Sequence, residues 1–150
     1  MNQIKITQAT IQELEEVAQL FDQYRIFYEQ QSDIEGVRKF LYERFEHQQS
    51  IIFLARDQEK TTPAGFTQLY PTFSSVSMKR TWLLNDLYVN EKYRGRRVAQ
   101  YLLESAKTFA KQTNAKGIEL ATAKDNLTAQ RIYESFGYEK DDFFHYFLSV

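Results

Sequence analysis

A buried strand, a basic turn and an amphipathic helix follow one another in the middle of the chain, and this order limits the fold more than any other feature. Residues 81–89 read TWLLNDLYV, a long and largely apolar segment that predicts a strand inside a sheet. Basic residues cluster directly after it, at Lys92, Arg94, Arg96 and Arg97. Residues 98–111 then carry apolar side chains at helical spacing, at Val98, Leu102, Ala106 and Phe109. We therefore predict a layered domain in which this helix packs on the sheet.

The segments on either side extend the pattern to a single domain over residues 1–150. Ile4 and Ile6 indicate a first strand, and helices are predicted from Thr10, with Glu13 as its capping-box partner, and from Ser32 or Asp33. Later elements are strands at 50–56, 64–70 and 117–122, a helix at 127–136 ended by Gly137, and one or two strands over 138–150. The predicted fold is α/β (α+β), with a central mixed sheet of six to seven strands flanked by about four helices.

Composition excludes several kinds of site. The chain has no cysteine, so disulfides, thiolate nucleophiles and cysteine-ligated metals are excluded. The two histidines, His47 and His145, lie far apart and no HExxH motif occurs, so no metal is expected. No apolar run approaches the ~18–20 residues of a membrane span, and Met1–Lys5 lacks the apolar core of a signal peptide. With a net charge of -1, we expect a cytoplasmic protein that binds neither nucleic acid nor membrane.

The basic turn is suited to a phosphate group. Backbone N–H groups at a helix start have no partner inside the helix, and with the helix dipole they form an anion site. Gly95 allows close approach, and Arg94, Arg96 and Arg97 add charge-assisted hydrogen bonds. A solvent-exposed basic helix cap and a nucleic-acid patch are the alternatives, and the acidic N-terminal half argues against the second.

A second helix carries a polar and a phenolic side chain on one face. Helical spacing places Asn126, Ala129, Tyr133 and Phe136 in a row, and the small Ala129 leaves room for a ligand beside the helix. The alternative is an ordinary amphipathic helix with a core tyrosine. The occurrence of this helix after the basic turn, with a strand between them, makes the pair of features more specific than either alone.

Both segments resemble the GNAT superfamily of acetyltransferases. Arg94-Gly95-Arg96-Arg97-Val98-Ala99 is similar to the family's pyrophosphate signature Gln/Arg-x-x-Gly-x-Gly/Ala, with Arg97 where the family usually has glycine. Only a backbone amide is needed there, and we predict that Arg97 supplies it with a helical φ. Residues 126–138 match the family pattern Asn-x-x-Ala-x-x-x-Tyr-x-x-x-Gly-Phe/Tyr without departure.

The resemblance implies a fold, a coenzyme and residue roles. It implies the GNAT acyltransferase fold and acetyl-CoA as co-substrate, with the pyrophosphate held by Arg94, Gly95, Arg96, Arg97, Val98 and Ala99. Leu87, Tyr88 and Val89 would present backbone groups to the acetyl carbonyl and the pantetheine arm. On the second helix, Asn126 would bond the coenzyme or a water, Ala129 would leave it room, and Tyr133 would hydrogen-bond or protonate the departing thiolate.

The sequence says less about the residues that bind and deprotonate the acceptor amine than about those that bind the coenzyme. An alkyl amine has a pKa of ~10.4 and is mostly protonated at neutral pH, so a group or water chain must take its proton. The candidate bases are Asp86, Glu29 and Asp33. Asp33 is alternatively a helix cap, Glu29 a surface residue, and Asp86 a buried structural carboxylate. The family resemblance implies that the region from Tyr24 to Asp33, which includes Glu29, and the loop from Tyr70 to Met78 form the wall that binds the acceptor. In that wall, Tyr28, Tyr70 and Phe73 would receive the alkyl stem or the cation of the amine.

These observations predict an N-acetyltransferase that moves acetyl from acetyl-CoA to a primary amine by direct transfer. The segments 27–33, 65–71 and 84–89 resemble a branch related to yeast polyamine and histone acetyltransferases, which implies a polyamine or another small cationic amine. The alternatives are a protein lysine or N-terminal acetyltransferase, and an acyl-CoA sensor without turnover. The aromatic terminal segment, predicted as a strand, suggests a homodimer because an aromatic edge strand invites pairing.

Overall fold

The computed structural model describes residues 3–150, so the first two residues of the predicted domain lie outside the described part. Five strands and four α-helices make up the fold in this part of the chain. The strands are β1 (Ile4–Gln8), β2 (Ile51–Asp57), β3 (Thr62–Ser74), β4 (Lys79–Val89) and β5 (Ile118–Glu119). The helices are α1 (Leu14–Phe27), α2 (Ile34–Glu46), α3 (Val98–Gln112) and α4 (Leu127–Ser135). Short 3-10 turns precede α1 and follow β4, at Ile11–Glu13 and Glu91–Tyr93.

The strands form one mixed sheet in the order β1-β2-β3-β4-β5. The first four pair antiparallel, and β5 pairs parallel to β4. The mixed α/β class and the number of helices are confirmed, whereas the described sheet has five strands rather than six to seven. The difference lies in residues 138–150, which contain no strand. A strand exists only when a neighbour takes up its backbone hydrogen bonds, and residues 138–150, the C-terminal tail, find none among the described residues.

Helices cover both faces of the sheet. On one face α3 packs Leu102, Leu103 and Ala106 against Trp82 and Leu84 of β4. On the other face α1 and α2 pack against β2 and β3, with their fully buried side chains at Val17, Leu20, Leu41, Leu54 and Phe66. Apolar side chains on both faces explain why the central strands read as nearly continuous hydrophobic runs.

Local signals set the ends of the N-terminal helices. The Thr10 backbone N–H donates to Glu13 Oε1 at 3.0 Å, and the Gln12 N–H donates to Thr10 Oγ1 at 3.2 Å, which confirms the predicted capping box. At the start of α2, the Gly36 N–H donates to Asp33 Oδ1 at 3.0 Å. These side chains satisfy amides that a helix start would otherwise leave without partners.

A bulge in β4 changes which face its residues occupy. Gln68 pairs with Asp86 and Leu69 pairs with Leu84, so Asn85 is an extra residue without a partner on β3. Side chains two positions apart normally share a face of a sheet. Because of the bulge, Leu84 packs on the α3 side, whereas Asp86 lies on the α1 side with Tyr24.

Candidate active site

A cleft opens where β4 and β5 separate. The two strands pair only at Trp82↔Ile118 and Leu83↔Glu119. Beyond these pairs lies a cleft of about 900 Å³. Its walls come from β4, the end of α1, the start of α3, the β5–α4 loop and α4. The volume is in the range of small-molecule and cofactor sites.

The edge of β4 that faces the cleft offers backbone groups to a ligand. β3 pairs with the opposite edge of β4. β5 covers the near edge only as far as Leu83, so over residues 84–89 no strand covers it in the part of the chain described. Leu87, Tyr88 and Val89 all line the cleft. The structure therefore brings the three residues predicted to meet the acetyl group and pantetheine arm to the cleft wall.

The N-terminus of α3 has amides free to bind an anion. The first backbone bond of this helix runs from the Tyr101 N–H to Arg97 O at 3.1 Å. The amides of Val98, Ala99 and Gln100 precede that bond and have no partner inside the helix. Arg97 makes no side-chain cap, and the first turn contains no acidic residue. Ala99 lines the cleft, so this end of the dipole faces it.

Arg97 adopts a left-handed backbone, which corrects the prediction of a helical φ. Its φ is 64° and its ψ is 20°, at the position directly before α3. Gly95 also has a positive φ, of 78°. A side chain with a Cβ is strained by roughly 1–2 kcal/mol in this region, whereas glycine is not. The usual glycine at the Arg97 position is therefore explained by backbone conformation as well as by close approach of the ligand.

The other residues of the basic turn divide between the cleft and the core. Arg94 lines the cleft, donates from Nε to Val89 O at 3.2 Å, and places its guanidinium 5.3 Å from the Phe27 ring centroid. Arg96 stacks over the Tyr93 ring at 4.9 Å, beside the turn. The Val98 side chain is buried in the core under α3, so only its backbone is available to a ligand.

Helix α4 presents its predicted residues to the cleft. Asn126, Ala129 and Tyr133 all line it, together with Thr128 and Ile132. Asn126 also caps the helix, because its Oδ1 accepts the Ala129 N–H at 3.2 Å. Its side-chain oxygen therefore holds the helix start, and its amide nitrogen is the group left to contact a ligand. Burial raises the pKa of the Tyr133 phenol, which keeps it protonated and able to donate.

Asp86 lies behind the cleft wall, in a buried polar cluster. Its carboxylate is 4% exposed and accepts the Gln68 Nε2 at 2.8 Å and the Asn85 Nδ2 at 3.2 Å. The Tyr24 phenol lies close enough to interact electrostatically with this carboxylate. Burial raises the pKa of this carboxyl, and the hydrogen bonds oppose that rise without cancelling it. Gln68 is fully buried, and its Oε1 has no hydrogen-bond partner among the described residues.

Three tyrosines surround this cluster on the acceptor side. The Tyr24 and Tyr28 rings meet edge to face with centroids 5.2 Å apart, and both residues line the cleft. Burial and the Asp86 charge raise the pKa of Tyr24 well above its usual range. The same causes raise the pKa of Tyr70 on β3 to about 12. Tyr24 lines the cleft and interacts electrostatically with Asp86, whereas Tyr70 interacts with Asp86 but does not line the cleft.

The structure places four of the residues predicted for the acceptor side, Glu29, Asp33, Tyr70 and Phe73, away from the cleft walls. The Asp33 carboxylate is the N-cap of α2, and its own N–H bonds to Asp22 Oδ1 at 2.9 Å. Glu29 is exposed and follows α1 with a φ of 64°. Neither residue lines the cleft. The geometry favours Asp86 among the three candidate bases, while Tyr28 reaches the cleft directly.

The sequence reasoning missed several residues of the site. Tyr24 and Phe27 line the cleft within the region 24–33 that was predicted as acceptor wall, although neither was singled out, and Gln68 joins the carboxylate cluster. One signal was available: Tyr24, Phe27 and Tyr28 lie three and four positions apart on α1, which places three rings on one face of its last turns. For Gln68 no local signal exists, because its contact with Asp86 depends on strand pairing.

Metal and membrane features were also sought in the structure. Over residues 3–150, no group of three or more His, Asp or Glu side chains is placed to hold a metal ion. Within the same range, no helix combines the length and the apolar character needed to cross a membrane.

Comparisons with known proteins agree with the fold. A sequence model of the family described as "Acetyltransferase (GNAT) family" matches residues 14–138. The chain is 46% identical over 148 residues to the "Uncharacterized N-acetyltransferase YhfO" of Bacillus subtilis (strain 168), covering 98% of each protein. The match includes α1, the basic turn and α4, which are the elements that build the cleft.

Solved structures give the same result. A crystal structure of a "probable acetyltransferase" superimposes with a TM-score of 0.93 at 45% identity, over 97% of each chain. The aminoglycoside acetyltransferase AAC(6')-Iy, solved with a bisubstrate analogue built on CoA, matches with a TM-score of 0.82 over 99% of each chain. Its identity is 16%, so this second likeness shows the fold alone.

Proposed function

The chain belongs to the GNAT family of acetyltransferases and is an acetyl-CoA-dependent N-acetyltransferase, and we propose that its acceptor is a small cationic primary amine such as a polyamine. The observation that carries the proposal is the buried Asp86 carboxylate behind a wall of aromatic rings. Tyr24 and Tyr28 form that wall, and Tyr24 interacts electrostatically with the carboxylate. A carboxylate and ring faces together attract an alkylammonium group.

A second polar group supports a cationic acceptor. The Oε1 of Gln68 is fully buried and lacks a donor among residues 3–150. Buried acceptors without a donor are rare, since each costs roughly 1–3 kcal/mol. An ammonium group or a water carrying its proton would supply the missing donor. The resemblance of segments 27–33, 65–71 and 84–89 to the branch related to yeast polyamine and histone acetyltransferases supports the same class of acceptor.

The residues present fit the coenzyme as the sequence predicted. The free amides of Val98, Ala99 and Gln100 and the guanidinium of Arg94 would hold the pyrophosphate, and the open edge of β4 would hold the pantetheine arm. The coenzyme supplies an activated acetyl group as a thioester. A coenzyme bound along β4 would bring that group into the cleft that Tyr133 and Tyr24 both line.

We propose the following roles for the residues of the cleft in the acetyl transfer. The amine nitrogen attacks the thioester carbonyl, a C–N bond forms, and the C–S bond breaks. The β4 backbone orients the carbonyl, and the Tyr133 hydroxyl donates to the sulfur as it leaves with the electron pair. Tyr24 lines the cleft and interacts with Asp86, so we propose that its hydroxyl passes the amine proton toward that carboxylate.

The difference between the pKa values of an aspartate and an alkyl amine limits what Asp86 can do as a base. An ordinary Asp has a pKa of ~3.9 and an alkyl amine one of ~10.4, so full proton transfer is uphill by roughly 9 kcal/mol. Burial raises the pKa of Asp86 and lessens this gap. Asp86 therefore acts mainly through its charge, which attracts the ammonium from behind the Tyr24 ring and favours removal of its proton during attack. Activity should rise with pH as more amine becomes neutral.

The test is acetyl-CoA-dependent thiol release over polyamines, amino acids, aminoglycosides and basic peptides. We expect release with polyamines, and a 10- to 100-fold lower kcat for Tyr133→Phe at unchanged acetyl-CoA affinity, because the hydrogen bond to the thiolate is lost. Tyr138→Phe is the matched control, since its ring packs against Tyr133 at 5.9 Å but does not line the cleft. Release confined to basic peptides would replace this proposal with a protein lysine or N-terminal acceptor.

A further inference from the structure

The basic turn before α3 has a backbone that does not form easily on its own. Gly95 and Arg97 both lie in the left-handed region, with φ of 78° and 64°. An arginine is strained there, and such conformations persist only where the surrounding structure fixes them. At one end of the turn, the buried Val98 side chain anchors the chain in the core under α3. The turn therefore needs a second anchor before Arg94.

Tyr93 provides the second anchor. It is the last residue of the short 3-10 turn after β4, and its side chain belongs to the core under α3. The Tyr93 N–H donates to Asn90 O at 2.8 Å, and the Asn90 N–H donates to Ala64 O on β3 at 2.8 Å. The Arg96 guanidinium lies 4.9 Å from the centroid of the Tyr93 ring. Tyr93 is thus in contact with the core and with the basic turn.

The hydroxyl of Tyr93 is bound to a buried carboxylate. It donates to Asp57 Oδ2 at 2.8 Å, and both side chains are buried. The hydrogen bond from Tyr93, more than any other interaction, holds the pKa of Asp57 below its ordinary value. The carboxylate is therefore charged at neutral pH, and a hydrogen bond to a charged acceptor is stronger than one between neutral groups.

The second oxygen of the same carboxylate binds the turn between β2 and β3. Asp57 Oδ1 accepts the Glu59 N–H at 3.1 Å and the Lys60 N–H at 3.4 Å. Neither Asp57 nor Tyr93 lines the cleft. One carboxylate therefore connects the β2–β3 turn, through the Tyr93 hydroxyl, to the segment that leads into the basic turn.

A contribution to stability alone does not explain this pair. A buried charge costs free energy, and replacing both partners of a buried hydrogen bond by apolar groups of the same shape is often neutral or stabilising. A buried polar contact with all its partners in place does, however, restrict the segments that it joins to one arrangement. The arrangement restricted here is that of the chain directly before Arg94.

We propose that Tyr93 and Asp57 are positioning residues for the coenzyme, because their hydrogen bond holds the basic turn in the conformation that binds the pyrophosphate. This inference rests on the proposed pyrophosphate site at the start of α3. A ligand binds more weakly when only part of the molecules have the binding conformation. The coupling is reciprocal, so bound acetyl-CoA should also stabilise the hydrogen bond and the β2–β3 turn behind it.

Calorimetry on Tyr93→Phe tests the positioning role. The variant keeps the ring and loses only the hydroxyl. We expect its Kd for acetyl-CoA to rise about 10-fold, as it would if about a tenth of the molecules had the turn in place. The Kd for S-acetylpantetheine should not change, because this ligand lacks the pyrophosphate. In steady-state kinetics, the KM for acetyl-CoA should rise and kcat at saturating acetyl-CoA should stay the same.

The matched control removes a hydrogen bond between the other end of α3 and the sheet. Trp82 Nε1 donates to Thr113 Oγ1 at 3.0 Å, so Thr113→Val loses that bond and should leave the Kd for acetyl-CoA unchanged. An unchanged Kd in Tyr93→Phe, or equal weakening of both ligands, would refute the positioning role. Equal affinity of the natural chain for the two ligands would instead overturn the proposed pyrophosphate site, and this inference with it.

Hydrogen exchange tests the coupling in the natural chain and so does not depend on the folding of a variant. We expect saturating acetyl-CoA to slow exchange of the Glu59 and Lys60 amides about 10-fold, because the coupling is reciprocal. The control amide is that of Ser77, which donates to Ser74 Oγ at 3.3 Å in the β3–β4 turn and should not change. Exchange at Glu59 and Lys60 that acetyl-CoA does not slow, or slows only as much as at Ser77, would contradict the proposal.

Discussion

The burial of Asp86 disfavours the charged form of its carboxyl group and so lowers the stability of the folded chain. It is nearly inaccessible to water, and burial raises the pKa of its carboxyl above the unfolded value of 3.8. The folded state therefore binds the Asp86 proton more tightly than the unfolded chain does. The resulting contribution to stability is present below pH 3.8 and is lost as the pH rises through the folded pKa. A buried charge kept at such a cost is typical of a functional group.

Asp86→Asn should therefore separate stability from activity. We expect the variant to gain free energy of unfolding relative to the natural chain between pH 3 and pH 7, because it removes a buried charge without changing shape. We also expect kcat/KM to fall about 100-fold or more, since the ammonium loses its partner. Urea unfolding at several pH values and steady-state kinetics measure the two effects.

The control is Asp33→Asn, because asparagine caps a helix as well as aspartate does. That variant should change neither the pH dependence nor the kinetics. An Asp86→Asn enzyme with full activity would remove Asp86 from the mechanism and leave it a structural carboxylate.

Arg97 shows how a single backbone angle can explain a motif. Its φ of 64° is a glycine conformation occupied by arginine. We expect Arg97→Gly to raise the free energy of unfolding by up to about 1 kcal/mol, since relief of strain exceeds the entropy that glycine adds to the unfolded chain. Arg97→Ala keeps the strain and should not stabilise, as chemical denaturation would measure.

The same pair of variants separates the contribution of the Arg97 side chain to acetyl-CoA binding from the contribution of its backbone. Both substitutions remove the guanidinium, so equal losses of acetyl-CoA affinity in calorimetry would assign the contact to charge. Tighter binding by the glycine variant than by the alanine variant would assign it to the backbone. Greater stability of Arg97→Ala than of Arg97→Gly would contradict the strain argument.

At the scale of elements, α4 depends on one side chain for both its start and its proposed ligand contact. The Asn126 Oδ1 caps the helix at Ala129, and its amide nitrogen faces the cleft. Asn126→Asp keeps the oxygen that caps and loses the amide donor. We expect this variant to unfold like the natural chain and to bind acetyl-CoA about 10-fold more weakly, since it replaces a donor with a charge.

Asn126→Ala should lose both functions. Its free energy of unfolding should fall by about 1 kcal/mol, as for other lost caps, and its acetyl-CoA affinity should also fall. Thermal unfolding and calorimetry on the two variants distinguish the roles. Equal acetyl-CoA affinity in Asn126→Asp and the natural chain would remove the amide from the coenzyme site.

At the scale of the whole molecule, the cleft joins elements that are far apart in sequence. Its walls come from α1, β4, α3 and α4, so a ligand bound there stabilises all of them together. Acetyl-CoA at 100 times its Kd should add about 2.7 kcal/mol to the free energy of unfolding. For a chain of 150 residues this raises the Tm by roughly 5–10 °C, which calorimetry would detect.

A ligand that lacks only the nucleotide part of acetyl-CoA tests how much the proposed pyrophosphate site contributes to this stabilisation. S-acetylpantetheine lacks the pyrophosphate, so at the same concentration it should raise the Tm far less than acetyl-CoA. An equal rise for both ligands would show that the N-terminus of α3 contributes little to binding.

The sequence by itself determined the parts of this protein that depend on neighbouring residues. The apolar run of β4, the basic turn, the helical spacing of α3 and α4, and the Thr10 and Gly137 boundaries are local patterns, and the structure confirms each as a structural element. Local spacing also placed Asn126, Ala129 and Tyr133 on one face, because a helix fixes that geometry whatever surrounds it.

Only the tertiary structure decided the features that depend on pairing between distant segments. The bulge at Asn85 places Asp86 against Tyr24 and Gln68, and strand register, which no local pattern specifies, sets that bulge. The left-handed φ of Arg97 follows from joining β4 to a helix packed on the same sheet. The tail reads as a strand in sequence and forms none in its own chain, because a strand needs a neighbour to take its hydrogen bonds.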